Sequence, residues 1–116
     1  MKLEFAAVSN LGDRPVNEDF YGSQQREPDG WLFALADGLG GHGKGDEASR
    51  LAVSAAMELY GGADHGEKTG DLLSRLFDGG QEQLFRRQLE LHCPGSMKTT
   101  LNLALVQGER LLLGHV

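Results

Sequence analysis

With 116 residues, the chain is long enough for one small domain with a core of its own. An apolar fraction of 40% and a formal net charge of −6 argue against intrinsic disorder and against nucleic acid as the default partner, while suiting a protein that holds divalent cations. A single cysteine, Cys93, argues against an internal disulfide framework or a multi-cysteine zinc site, and fits a reducing compartment.

The N-terminus, Met1 to Phe5, has no long apolar segment, so no signal peptide is expected there. No stretch approaches the roughly 18 apolar residues of a membrane span, and the expected location is cytoplasmic.

Leu3, Phe5 and Ala7 alternate with Lys2, Glu4 and Ala6, the pattern of a strand with one buried face. Turn residues follow at Ser9, Asn10, Gly12, Asp13 and Pro15. Phe20 and Tyr21 open a second strand, and Pro28-Asp29-Gly30 signals a turn. Trp31 to Ala36 is an unbroken apolar run, which predicts a strand covered on both faces and paired antiparallel with its neighbours. It stops at the carboxylate of Asp37, and five glycines follow: Gly38, Gly40, Gly41, Gly43 and Gly45. That many glycines exceed what a turn needs; they let a backbone approach a ligand closely.

Asp46 to Tyr60 reads as a helix capped by Asp46, with Ala48, Leu51, Ala52, Ala55 and Leu59 as its apolar stripe and Gly61-Gly62 as its stop. Leu72, Leu73, Leu76, Phe77, Leu84, Phe85 and Leu89 mark a second helical region. Gly79-Gly80 interrupts it at a cost of about 1 kcal/mol per glycine relative to alanine, which leaves one helix or two open. Pro94-Gly95 closes that region. Thr99 to Val106 alternates, with Leu101, Leu103 and Leu105 on one face. Gln107-Gly108-Glu109 is a hairpin turn, and Arg110 to Val116 the return strand. Strands, helices, then strands make an α+β layered fold. The last strand stays apolar up to Val116, which reads as the front part of a longer domain. Its open sheet edge predicts self-association.

The chemistry-bearing residues lie at two places. Asp37 ends the apolar run, and Arg14-Pro15-Val16-Asn17-Glu18-Asp19 lies upstream. If the first strands pair, the Glu18 end and the Asp37 end meet at one rim. Carboxylates gathered there suit Mg²⁺ or Mn²⁺, which prefer oxygen ligands. Arg14 is a planar, permanently charged fork suited to phosphate. Singly, Arg14 reads as a surface ion-pair residue, Glu18 and Asp19 as a solvated turn, and His42 as a loop residue shaping the glycine turn.

Taken together, the residues resemble the metal-dependent protein phosphatase family, the type 2C serine/threonine phosphatases and their bacterial relatives. Ser9 to Asp19 resembles the family's first motif, with its Arg and its Asn-Glu-Asp. Phe33 to His42 resembles its Asp-Gly-x-Gly-Gly-His motif, continued by Gly45-Asp46-Glu47-Ala48-Ser49. Met97-Lys98-Thr99-Thr100-Leu101 resembles its Thr-Thr strand, and Leu111 to Val116 the strand before its Gly-Asp-Ser motif.

The resemblance implies the N-terminal part, residues 1–116, of a four-layer α-β-β-α sandwich with a central antiparallel β-sandwich between helices. It implies that Asp37 bridges two Mg²⁺ or Mn²⁺ ions, that Glu18 and the carbonyl of Gly38 bind the second ion, that Asp19 orients metal-bound water, and that Arg14 holds the substrate phosphate. The implied reaction is hydrolysis of phosphoserine and phosphothreonine by a metal-activated water without a phosphoenzyme. The implied partners are phosphorylated protein substrates and a cognate serine/threonine kinase, while the acidic charge and the lack of a long apolar stretch argue against nucleic acid and membrane. Two positions depart from the pattern: Leu39 stands where some members carry a His, and Lys98 where a Gly is usual. The family's later aspartates would lie beyond Val116.

Two other functions compete. A catalytically inactive phosphatase-like binding module has the same motifs without turnover. A nucleotide-binding loop would use Gly38 to Lys44 as Gly-x-x-x-x-Gly-Lys, although Gly45 replaces the hydroxyl residue that such a loop needs next.

Overall fold

A computed structural model describes residues 18–39, 44–93 and 95–116. The expected strand at Leu3 to Ala7, the turn up to Pro15, Arg14, His42 and Pro94 lie outside the described residues. The elements run β1 (Asp19–Arg26), β2 (Gly30–Leu39), α1 (Lys44–Gly61), α2 (Thr69–Glu90), β3 (Lys98–Thr99), β4 (Asn102–Gln107) and β5 (Arg110–His115). The sheet order is β1-β2-β4-β5, β3 also pairs with β2, and every pairing is antiparallel. Strands followed by helices and then strands form the expected α+β arrangement.

Both helices lie on one face of the sheet, and that face holds the core. Leu32, Ala34 and Ala36 of β2 meet Ala52, Val53, Ala56 and Tyr60 of α1, Leu72 and Leu76 of α2, and Leu101, Leu103 and Leu105 around β4. The alternation read at Leu101, Leu103 and Leu105 is therefore the buried face of β4. A smaller cluster of Ala48, Leu84 and Met97 closes the end near β3. Arg87 of α2 also pairs with Glu47 of α1 and with Glu90, and these bonds hold its guanidinium proton more tightly than usual.

Three expectations change. First, β2 is covered on one face only among the described residues. Leu32 is 0% exposed, whereas Leu35, three residues on and facing the other way, is 52% exposed. Trp31 and Phe33 share Leu35's face and stack on each other, ring centroids 5.6 Å apart. The uniform apolar run hid this alternation, because both faces of the strand carry the same kind of residue.

Second, β2 continues through Asp37 to Leu39, because β3 extends its partner: Gly38 pairs with Thr99 and Leu39 with Lys98. Asp37 is therefore inside the strand. Third, α1 begins at Lys44, so Asp46 is not a cap. It sits in the first turn, where a carboxylate complements the helix dipole, and binds Arg50 at 3.1 Å. The choice left open at Gly79-Gly80 is decided for one helix, since α2 runs unbroken through the pair. A Cβ on Gly80 would lie 3.7 Å from the Cα of Ala52, and a Cβ on Gly79 would strike the Leu59 side chain. Gly79 leaves room for the Leu59 side chain, and the packing of Leu72, Leu76 and Leu84 outweighs the poor helix propensity of the glycine pair.

Candidate functional site at the β1–β2 rim

The antiparallel register of β1 and β2 sets Asp19 directly opposite Asp37. Opposed residues of an antiparallel pair project from the same face, with Cβ atoms about 5 Å apart. Both aspartates are exposed, on the face away from the helices. The pairing continues one residue further, where the Gly38 N–H donates to the Glu18 carbonyl at 3.0 Å. Gly38 is thereby held beside the backbone of Glu18.

Glycine is required where α1 meets this rim. A Cβ on Gly38 would collide with the Gly45 backbone, and one on Gly45 would collide with the Glu18 carboxylate. Glu18, half-buried, thus packs its carboxylate against the start of α1, where the partial positive charge of the helix end suits an anion. The strand, the Glu18 carboxylate and the helix start occupy a space that two side-chain-free positions keep available.

Among the residues expected at the site, the structure brings Asp19 and Asp37 together as an opposed pair and ties Gly38 to Glu18 through the backbone. Arg14 lies outside the described residues. Among the described residues, no group of three or more His, Cys, Asp or Glu side chains converges as a metal cluster. The donors at the rim are all hard oxygens, the set that binds Mg²⁺ or Mn²⁺ rather than thiophilic metals. Carboxylates directly opposite one another repel, and a divalent cation is a group that offsets this.

Thr100 is a contributor that the sequence reading left without a role. The Asp37 N–H donates to Thr100 Oγ1 at 3.1 Å, and the Thr100 N–H donates to the Asp37 carbonyl at 2.9 Å. The Thr100 carbonyl instead accepts the Thr99 hydroxyl at 2.8 Å. The one available signal was the pair of adjacent threonines at the start of a strand.

Elsewhere on the open face, a shallow, mostly apolar depression of about 430 Å³ lies between Phe33, Leu35, Asn102, Leu113 and His115. It does not include the aspartates. The nucleotide-loop reading does not fit the fold, because β2 pairs antiparallel with β1, β3 and β4, whereas such loops follow a strand in a parallel β-α-β unit.

Residues 8–116 match the family model for protein phosphatase 2C. The serine/threonine protein phosphatase PstP of Mycobacterium tuberculosis is 38% identical over 119 residues, spanning 98% of this chain and 21% of that protein. A crystal structure of the M. tuberculosis serine/threonine phosphatase PstP/Ppp superposes with a TM-score of 0.81 at 33% identity, covering 96% of this chain and 45% of the other. The PstP catalytic domain in complex with two manganese ions superposes with a TM-score of 0.77 at 34% identity, covering 96% and 46%. The chain thus spans about a fifth of the length of PstP and under half of these solved structures.

Proposed function

Since the chain belongs to the protein phosphatase 2C family, we propose that it supplies one wall of a metal-dependent site that hydrolyses phosphoserine and phosphothreonine in proteins. The observation that carries this reading is the Asp19–Asp37 pair, opposed on one sheet face beside the Gly38–Gly45 contact. The PstP structure holding two manganese ions supports a two-ion site.

In this reading Asp37 would be shared by two Mg²⁺ or Mn²⁺ ions, and Glu18 and the Gly38 carbonyl would hold the second. When bound, such ions lower the pKa of coordinated water and offset charge on phosphoryl oxygens. Asp19, opposite Asp37, would orient water at the ions by accepting its hydrogen bonds. Arg14 holds the substrate phosphate through its two-pronged guanidinium. Gly38 and Gly45 exclude side chains from the space that Glu18 occupies. Phosphorylated proteins are the substrates, and a serine/threonine kinase is the partner whose product they are. No helix of the described residues is long and apolar enough to cross a membrane. With Cys93 unpaired, a cytoplasmic location accompanies this reading.

Release of phosphate from a phosphothreonine peptide by the protein that carries this chain tests the proposal. Turnover is expected with Mn²⁺ or Mg²⁺ and should vanish with a chelator. Arg14→Ala is expected chiefly to raise KM, because it removes binding of the phosphate. Equal turnover in the presence of the chelator would refute metal dependence.

A further inference from the structure

We propose that Thr100 is the positioning residue for Asp37: its side-chain hydroxyl replaces a backbone acceptor at the one step of the ladder where the bridging carboxylate sits. This rests on the reading of Asp37 as a metal ligand.

The registers make the substitution visible. β2 pairs with β4 through Leu35 and Asn102, and with β3 through Gly38 and Thr99. Both pairings obey the same alignment, so Asp37 falls opposite Thr100 in the gap between β3 and β4. A regular antiparallel pair would exchange two backbone hydrogen bonds here. Only one is kept, from the Thr100 N–H to the Asp37 carbonyl at 2.9 Å. For the other, the Asp37 N–H turns to Thr100 Oγ1 at 3.1 Å, and the Thr100 carbonyl is taken by the Thr99 hydroxyl at 2.8 Å.

In a regular ladder the residue type at position 100 would be immaterial to Asp37, because the backbone alone would hold it. With the hydroxyl as acceptor, both backbone polar groups of Asp37 depend on Thr100: the N–H on its side chain, and the carbonyl on its N–H with the hydroxyl also 3.5 Å away. A backbone fixed on both sides fixes the direction of the Cα–Cβ bond, and hence where the carboxylate points. Ligands held in place before the ion arrives bind it more tightly than ligands that must be ordered on binding, and partners one step removed from the ion typically change its affinity by 10–100-fold.

Thr100 is itself exposed, so removing its hydroxyl opens no core cavity. Its effect is therefore separable from stability. The test compares Thr100→Val, Thr100→Ala and Thr100→Ser in two measurements: amide hydrogen exchange at Asp37, and Mn²⁺ affinity by titration. Valine and alanine are expected to speed exchange at Asp37 at least about tenfold, with Leu32 to Ala34 unchanged, and to weaken Mn²⁺ binding by about tenfold. Serine is expected to restore both. Unaltered exchange and affinity in the valine and alanine variants, or equal loss in the serine variant, would overturn the proposal. Asp37→Asn run in parallel separates the two layers. If it left Mn²⁺ affinity intact, the metal reading of Asp37 would fail, while the exchange data would still decide whether Thr100 holds that backbone.

Discussion

The two faces of β2 make the instructive contrast. On one, Leu32, Ala34 and Ala36 are sealed under α1 and α2; on the other, Trp31, Phe33, Leu35 and Asp37 stand on a face that no described helix covers. The residues interleave along one strand, and all six positions of the apolar run, Trp31 to Ala36, would suit either face. What separates the faces is the layer above them: a hydrophobic layer stabilises one, and the other keeps both an apolar surface and a pair of aspartates. Among the described residues, the core lies on one side of the sheet and the candidate chemistry on the other.

The largest effect that would break this contrast is in the core. Leu32→Ala and Leu76→Ala, both at 0% exposure, are each expected to cost about 2–5 kcal/mol in urea unfolding, whereas Leu35→Ala on the open face should stay within about 0.5 kcal/mol. Similar losses at Leu32 and Leu35 would mean that the open face is packed as tightly as the covered one.

Next is Tyr60, buried under the covered face at 1% exposure, with a hydroxyl that has no hydrogen-bond partner among the described residues. Arg26 lies over its ring at 5.2 Å. An unsatisfied buried hydroxyl costs about 1–3 kcal/mol, so Tyr60→Phe is expected to be neutral or to stabilise by about 1 kcal/mol. Burial pushes the Tyr60 phenol above its usual 10.0, while Arg26 pulls it down. The folded state therefore holds this proton more tightly than the unfolded chain. Its contribution is complete below pH 10.0 and is lost as pH rises through that value toward the raised one. Tyr60→Phe should accordingly flatten the alkaline decline seen in pH-dependent denaturation. An unchanged decline would show that the hydroxyl is reached by water.

Smaller still is the helix contact. A Cβ on Gly80 would meet Leu101 and Ala52 at 3.6 and 3.7 Å, ordinary packing distances. Gly80→Ala should therefore raise stability by up to about 1 kcal/mol through helix propensity. Gly79→Ala should gain less, because the Leu59 side chain must move aside. A thermal melt of each variant distinguishes the two.

These elements also show what the sequence could and could not reveal. The alternation of Leu101, Leu103 and Leu105 identified a buried strand face directly, since periodicity is a local property. The ordered motifs around Glu18, Asp19 and Asp37 named the candidate site residues, and turn residues after Arg26 and Gln107 marked both hairpins. The continuity of α2 was hidden because it comes from the packing of Leu72, Leu76 and Leu84 into the core, which outweighs what Gly79 and Gly80 cost locally. The open face of β2 was hidden because a uniform apolar run has no polar positions to mark a side. The link from Asp37 to Thr100 spans 63 residues and depends on a pairing register, to which no local pattern corresponds.

The role of Asp37 is tested most directly against a neighbour on its own strand. In the protein that carries this chain, phosphothreonine-peptide turnover with Mn²⁺ would be compared between Asp37→Asn and Leu35→Ala, two changes on the same strand and face. Turnover is expected at background for Asp37→Asn and close to the parent value for Leu35→Ala. Full Mn²⁺-dependent turnover by Asp37→Asn would contradict that role.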